Sequence, residues 1–128
     1  MDQEFSKLLK KNKTISRLEK KIRDGKGTFA DAGNLASLSG TIMANLIEER
    51  LDAEFPNGSI QEDDVRRIIS PLLKQCHVYT TGLAARVADK IYTDGGVHMK
   101  GVATEYDQGR ENELVKMISA RSFENEQS

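Results

Sequence analysis

The sequence predicts an all-α protein in which four to five helices form a single irregular bundle. In every long segment the apolar residues recur at three- and four-residue steps, which places them on one face of a helix. Only two prolines occur in 128 residues, so long stretches can stay helical. This length suits one domain, which we expect at residues 1–121, followed by a polar tail at 122–128 that frays.

The first helix is expected from about Glu4 to Asp24. Its apolar face comprises Phe5, Leu8, Leu9, Ile15, Leu18 and Ile22. Most of its basic residues fall on the opposite side. Gly25 and Gly27 then end the helix, because glycine supplies backbone freedom that other residues lack.

The second helix is expected from Thr28 to about Glu54. Thr28 followed by Asp31 is typical of a helix start, with an oxygen acceptor before an acid in the first turn. Beside its apolar stripe runs a row of small residues: Gly33, Ser37, Gly40 and Ala44. Small side chains at this spacing let another helix approach closely, so we expect this row to pack in the core.

Residues 55–58 have the composition of a turn, and Ser59 with Glu62 then resembles a capping box. The long helix that follows contains Pro71, where we expect a kink or a break into two helices. Its apolar stripe, expected to be buried, includes Leu72, Cys76, Leu83 and Val87. The stripe ends near Asp94. Residues 97–102 are expected to be an extended connector, and a final helix at 107–120 presents Leu114, Val115 and Ile118.

Signatures of catalysis are absent from the sequence. It contains no P-loop, no GxGxxG, no HExxH and no CxxC pair. Cys76 and His77 are neighbours, so on a helix they point about 100° apart and cannot form a ligand pair. We therefore expect no enzymatic activity, no cofactor, no metal site and no small-molecule substrate.

Four weaker patterns have simpler explanations. The acids Glu62, Asp63 and Asp64 suit the positive end of a helix dipole better than a cation site. Tyr79, Arg86 and Lys90 could contact a phosphate, but solvation and core packing explain them equally well. His98 is expected to be a surface or loop histidine, since no acid stands at a telling spacing from it. Cys76, the single cysteine, is expected to be a buried structural thiol.

Charge is distributed in blocks although the net charge is −1. Residues 1–27 carry nine basic and four acidic side chains, whereas residues 28–64 carry one basic and eight acidic side chains. Residues 65–100 are again basic, and residues 101–128 are acidic. Such blocks neutralise one another within one fold or pair between neighbouring copies, and we favour the first.

The basic side of the first helix is the most promising binding site in the sequence. It comprises Lys10, Lys13, Arg17, Lys20 and Lys21. We expect it to dock on an acidic protein surface or on a neighbouring copy, and one candidate receptor is the acidic block of Glu48, Glu49, Asp52 and Glu54. Nucleic acid is the rival target, through phosphate contacts. Membrane binding is not expected, because the apolar face lacks Trp and is needed for the core.

No apolar run is long enough to cross a membrane, and the acidic N-terminus differs from a secretory signal. With one cysteine an internal disulfide is impossible. These observations predict a soluble, intracellular protein.

Three stretches of the chain carry a resemblance to one known family. Residues 15–32 are similar to its basic helix, its Asp-Gly break and its Thr-aromatic-Ala restart. Ser70-Pro71-Leu72-Leu73, with Tyr79, Ala84, Val87 and Ala88, looks like its proline-containing long helix. Gly96 to Lys100, with Asp107, Arg110 and Ile118, resembles its Gly-x-x-x-Lys connector and following helix. The family is the minor capsid (head morphogenesis) proteins of tailed phages and prophages of gut Firmicutes, in their N-terminal part.

The resemblance implies a virion component that lies in the host cytoplasm during assembly. Its implied partners are portal and capsid proteins and its own copies. Packaged DNA is a further partner that the resemblance implies. Family members continue well beyond the matching region, so this chain is either an isolated N-terminal domain or a stand-alone relative. The alternative function, from a different class, is a small regulatory protein of phage origin that binds nucleic acid or inhibits another protein.

Overall fold

A computed structural model of the chain describes residues 2–56, 60–94 and 106–127. In these ranges the protein is all-α and contains no strand, as predicted. Five helices follow one another: α1 (Gln3–Lys11), α2 (Lys13–Arg23), α3 (Phe29–Glu54), α4 (Glu62–Asp94) and α5 (Gln108–Gln127). Across the described part of the chain, no helix combines the length and apolar character needed to cross a membrane.

The bundle is organised around α3 and α4, which form the most extensive helix pair. Helix α2 packs against both of them, α1 packs against α2 and α3, and α5 packs against α4. One continuous core joins all five helices. Its largest fully buried apolar side chains are Phe5, Ile15, Leu35, Leu46, Val65, Ile69, Leu72 and Val115. The predicted burial of Leu72, Leu83 and Val87 is confirmed.

The predicted first helix is wrong in one respect, because the chain forms two helices that meet at Asn12. The Asn12 side chain accepts a hydrogen bond from the Ile15 N–H at 3.0 Å, which caps the start of α2. Its own backbone N–H donates to the Leu9 carbonyl and closes α1. Leu9 and Ile15 are six residues apart, a gap that a straight helix does not keep on one face. The break lets both side chains reach the core.

The turn after α2 and the start of α3 agree with the prediction. Gly25 adopts a φ of +79°, a conformation that residues with a Cβ atom rarely take. Thr28 and Asp31 form a reciprocal capping box: the Asp31 N–H donates to the Thr28 hydroxyl at 3.2 Å, and the Thr28 N–H donates to the Asp31 carboxylate at 2.9 Å. Two of the free N–H groups at the helix start are thereby satisfied.

The row of small residues on α3 does not pack in the core, which corrects the prediction. Gly33, Ser37 and Ala44 are exposed, and Gly40 is half-buried. A Cβ atom added at Gly33 or Gly40 would meet nothing within 4 Å. The core instead takes the neighbouring face of the helix, where Leu35 and Leu46 lie. Small size therefore marked a face of α3 that no described helix covers.

Helix α4 runs through Pro71 as one helix, so of the two predicted outcomes the break does not occur, and the kink stays a prediction. Proline removes one backbone donor, which leaves the carbonyl four residues earlier, at Arg67, without its usual partner. Both Pro71 and Arg67 are exposed, so water can satisfy this carbonyl. Cys76 is buried on the same helix, as expected.

The final helix is longer than predicted, because α5 continues to Gln127 rather than ending at Ala120. Val115 is fully buried, and Leu114 and Ile118 pack against the core. Fraying of residues 122–128 stays a prediction. Ser59 of the expected capping box, His98 and the expected connector at 97–102 lie outside the described residues.

Candidate interaction surfaces

The predicted basic site is exposed but spans two helices. Lys10 lies in the last turn of α1, and Lys13, Arg17, Lys20 and Lys21 lie on α2. The Ser16 hydroxyl donates to the Lys10 carbonyl at 3.2 Å, which holds the two helix ends together. The α2 members point away from the buried face of that helix, because they occupy the positions between its core residues.

One member of the predicted site is used inside the fold. The Lys21 ammonium lies 2.9 Å from the Asp31 carboxylate and so links α2 to the capping box of α3. This hydrogen bond, with those from Thr28, lowers the pKa of the Asp31 carboxyl below its usual value. Within the described residues, no ion pair engages Lys10, Lys13, Arg17 or Lys20. We call these four side chains the basic surface.

The acidic block on α3 is likewise divided. Glu54 pairs with Arg67 of α4 across the α3–α4 connection. Glu48, Glu49 and Asp52 are exposed, and in the described part of the chain no basic side chain pairs with them. We call these three side chains the acidic surface.

Arg50, although it lies within the acidic block, points toward α1. It donates hydrogen bonds to the Asp2 and Glu4 carboxylates at 2.9 and 3.2 Å. The bond to Arg50 lowers the pKa of the Asp2 carboxyl, and Asp2 in turn caps α1 by accepting from the Phe5 N–H. The charge blocks are therefore partly neutralised within the fold, and the basic and acidic surfaces are among the exposed charges that this pairing leaves.

A buried carboxylate at the α4–α5 contact was missed by the sequence reasoning. Glu111 is only 3% exposed. It accepts hydrogen bonds from Arg66 at 3.0 Å, from the Tyr106 hydroxyl at 3.0 Å and from Gln108. Burial by itself raises the pKa of the Glu111 carboxyl, but these hydrogen bonds, one from Ser70 and the charge of Arg66 together lower it. The only sequence signal was an acid one turn before the apolar residues of α5.

Beside Glu111 a groove of about 470 Å³ opens between α3, α4 and α5. Its walls are mostly apolar, with Met43, Leu73, Leu114 and Met117 among the lining residues. The Tyr106 ring lies edge-on to His77, with ring centres 5.6 Å apart. The Lys74 ammonium lies 5.7 Å from the centre of the same ring. These contacts hold the segment before α5 against α4.

In the part of the chain that the structure describes, reactive groups converge at neither the basic surface nor the acidic surface. Burial raises the pKa of the Cys76 thiol, which keeps it protonated and unreactive. The Tyr79 hydroxyl donates to the Glu19 carboxylate at 3.0 Å, so it is already engaged within the fold. Among the described residues, no group of three or more His, Cys, Asp and Glu side chains could hold a metal ion.

No known protein family, curated protein or solved structure matches this chain. The charged surfaces of the bundle are the features that bear on function. Of the features in the described residues, the basic surface has the clearest electrostatic target, because its four cations are exposed and lack a partner within the fold.

Proposed function

We propose that this chain is a structural or assembly component of a phage virion, which binds portal proteins, capsid proteins or its own copies through its helical faces. The observation that carries the proposal is the basic surface, whose four exposed cations have no ion-pair partner among the described residues. The residue patterns at 15–32, 70–88 and 96–118 support the virion part of the proposal through their resemblance to minor capsid proteins.

An acidic protein surface is a better target than nucleic acid. The net charge is −1, and the exposed acids of α3 belong to the same small bundle, so a long polyanion is repelled as well as attracted. Four cations in a compact patch match a local acidic surface on a protein. Such exposed pairs contribute at most about 1 kcal/mol each, so they steer and orient docking while neighbouring contacts add affinity.

A regulatory nucleic-acid-binding protein is the second candidate, because Lys13, Arg17 and Lys20 recur along one side of α2 and could follow a phosphate backbone. Salt dependence does not separate the two, since both attractions weaken as salt rises. A gel-shift titration with duplex and single-stranded DNA near physiological salt separates the two candidate functions.

The experiment compares the native chain with Lys13→Glu plus Lys20→Glu. Its control is Lys116→Glu, which reverses an exposed charge on α5, away from the basic surface. We expect the native chain and the control to cross-link to a portal or capsid protein in cells that produce the phage, and the double variant to lose that product. Micromolar DNA binding abolished by the double variant, without any captured virion protein, would contradict the proposal and support the regulatory candidate.

A further inference from the structure

Two opposite sets stand out among the exposed charges that have no ion pair in the described residues. The basic surface lies on α1 and α2, and the acidic surface lies on the C-terminal half of α3. Neither set has an ion-pair partner among the described residues, although five other ion-paired clusters link acids and bases there. Each set is therefore available to a partner of opposite charge.

Distance separates one end of the basic surface from the acidic surface. Lys21, on the last turn of α2, is tied to Asp31 at the start of α3. Glu48 and Asp52 lie 17 and 21 residues beyond Asp31 on the same helix, which corresponds to roughly 25–30 Å along its axis. Lys20, which is next to Lys21, therefore lies too far from Glu48 and Asp52 to pair with them within one molecule.

The directions of the two sets also differ. Helices α2, α3 and α4 all contact one another, so each turns its own outer face away from a shared centre. Lys13 and Lys20 lie on the outer face of α2, and Glu48 and Asp52 lie on the outer face of α3. One molecule therefore presents its cations and its anions in different directions.

The spacing of the charges is complementary. Lys13 and Arg17 are four residues apart on α2, and Glu48 and Asp52 are four residues apart on α3. Both intervals correspond to about 6 Å along a helix. An α2 helix laid along an α3 helix can thus bring two cations opposite two carboxylates at once.

We infer that the partner of the basic surface is the acidic surface of a second copy of this chain, in a head-to-tail contact. The inference rests on the proposed function and names one of its partners. Because the two surfaces face different ways, each copy engages one neighbour through α2 and another through α3. Such a contact closes into a ring or continues as a filament instead of stopping at a two-fold dimer. A net charge of −1 leaves little overall repulsion between copies.

Two charge-reversal variants test the inference by sedimentation velocity at low and physiological salt. The first is Lys13→Glu plus Lys20→Glu, and the second is Glu48→Lys plus Asp52→Lys. We expect the native chain to assemble beyond a dimer as its concentration rises, and each variant alone to associate about tenfold more weakly. Mixing the variants should restore assembly beyond a dimer, because the intact basic surface of one variant meets the intact acidic surface of the other, and the two reversed surfaces are again opposite in charge. Lys116→Glu serves as the control, and circular dichroism verifies that every variant is helical.

Three results would overturn the inference. One is a native chain that stays monomeric at all concentrations, the second is a mixture of variants that fails to assemble, and the third is assembly that stops at a dimer. If the chain is monomeric but its basic surface still captures a portal or capsid protein, self-docking is wrong and the proposed function stands. If the basic surface binds DNA instead, both are wrong.

Discussion

Glu111 shows how strongly a residue's role depends on its surroundings. Its neighbour Glu113, two positions along α5, is exposed, whereas Glu111 is buried against α4. A buried carboxylate is tolerated only when it is hydrogen-bonded and paired, and Arg66, Tyr106 and Ser70 provide those partners. The group therefore orients α5 on α4 by requiring these donors to meet it.

Replacing Glu111 with Ala should destabilise the fold. The substitution leaves the Arg66 guanidinium and the Tyr106 hydroxyl without their acceptor, which costs about 1–3 kcal/mol. Glu113→Ala is the matched control, because Glu113 is exposed on the same helix and should change stability by less than about 0.5 kcal/mol. Urea unfolding measures both. Equal stabilities for the two variants would mean that the Glu111 contacts do not hold α5 in place.

Stability should also depend on pH at the acidic end. The folded pKa values of Asp2, Asp31 and Glu111 lie below their ordinary values of 3.8, 3.8 and 4.5. As the pH falls, the unfolded chain therefore binds protons before the folded protein does. The three carboxylates contribute their full share to the free energy of unfolding above about pH 5, and this share is lost as the pH falls through their lowered folded-state pKa values. Thermal melts from pH 7 to pH 3 should show a flat region and then a decline, and Glu111→Gln should make the decline shallower. A melting temperature that rises on acidification would contradict this.

At the scale of the elements, local signals placed the turn after α2 and the start of α3 well. The capping box of Thr28 and Asp31 begins α3 where the sequence predicted, because both hydrogen bonds join residues three positions apart. The break at Asn12 was missed, since a polar residue within a helical pattern is ordinarily solvated. Its capping role depends on the core drawing Leu9 and Ile15 to the same side.

Alanine substitutions at Gly33 and Gly27 compare a glycine with open space around it and a glycine packed against a neighbouring residue. Gly33→Ala should stabilise α3 by about 0.5–1 kcal/mol, because the added methyl group meets nothing and alanine favours a helix. Gly27→Ala should destabilise the protein by about 1–3 kcal/mol, because its Cβ would lie 2.4 Å from Ile22 Cγ1 and 2.9 Å from Ile22 Cα. Thermal denaturation compares the two. Loss of stability in Gly33→Ala would indicate that this face of α3 is covered in solution.

At the scale of the whole molecule, the bundle depends on the stripe of α4 that contacts the other helices. Leu83→Ala should cost about 2–5 kcal/mol, since Leu83 is 3% exposed and its removal leaves a cavity. Val78→Ala on the same helix is the control, because Val78 is 69% exposed. It should change stability by less than about 0.5 kcal/mol. Similar melting curves for the two variants would mean that the stripe is not the core of the folded protein.

The whole molecule also decides which charges remain available for binding. The sequence predicted a binding site of five basic residues. In the fold, Lys21 pairs with Asp31 and is therefore not available to a partner. Glu54 of the acidic block likewise pairs with Arg67 within the fold. The basic surface and the acidic surface are smaller than the charge blocks of the sequence. They therefore specify more narrowly which charged side chains a partner would contact. Whether that partner belongs to a virion stays a proposal.

Sequence alone determined the helical class, the turn at residues 24–28 and the buried stripe of α4. These features follow from apolar spacing and from hydrogen bonds between residues three or four positions apart, which a linear pattern records. Only the tertiary structure decided that Glu111 meets Arg66, that Tyr79 meets Glu19 and that the small-residue face of α3 is uncovered. The two contacts join residues 45 and 60 positions apart in the sequence. Whether the small-residue face of α3 is covered depends on where the other helices pack. Local periodicity says which face of a helix is apolar, whereas the packing of all five helices decides which polar groups meet.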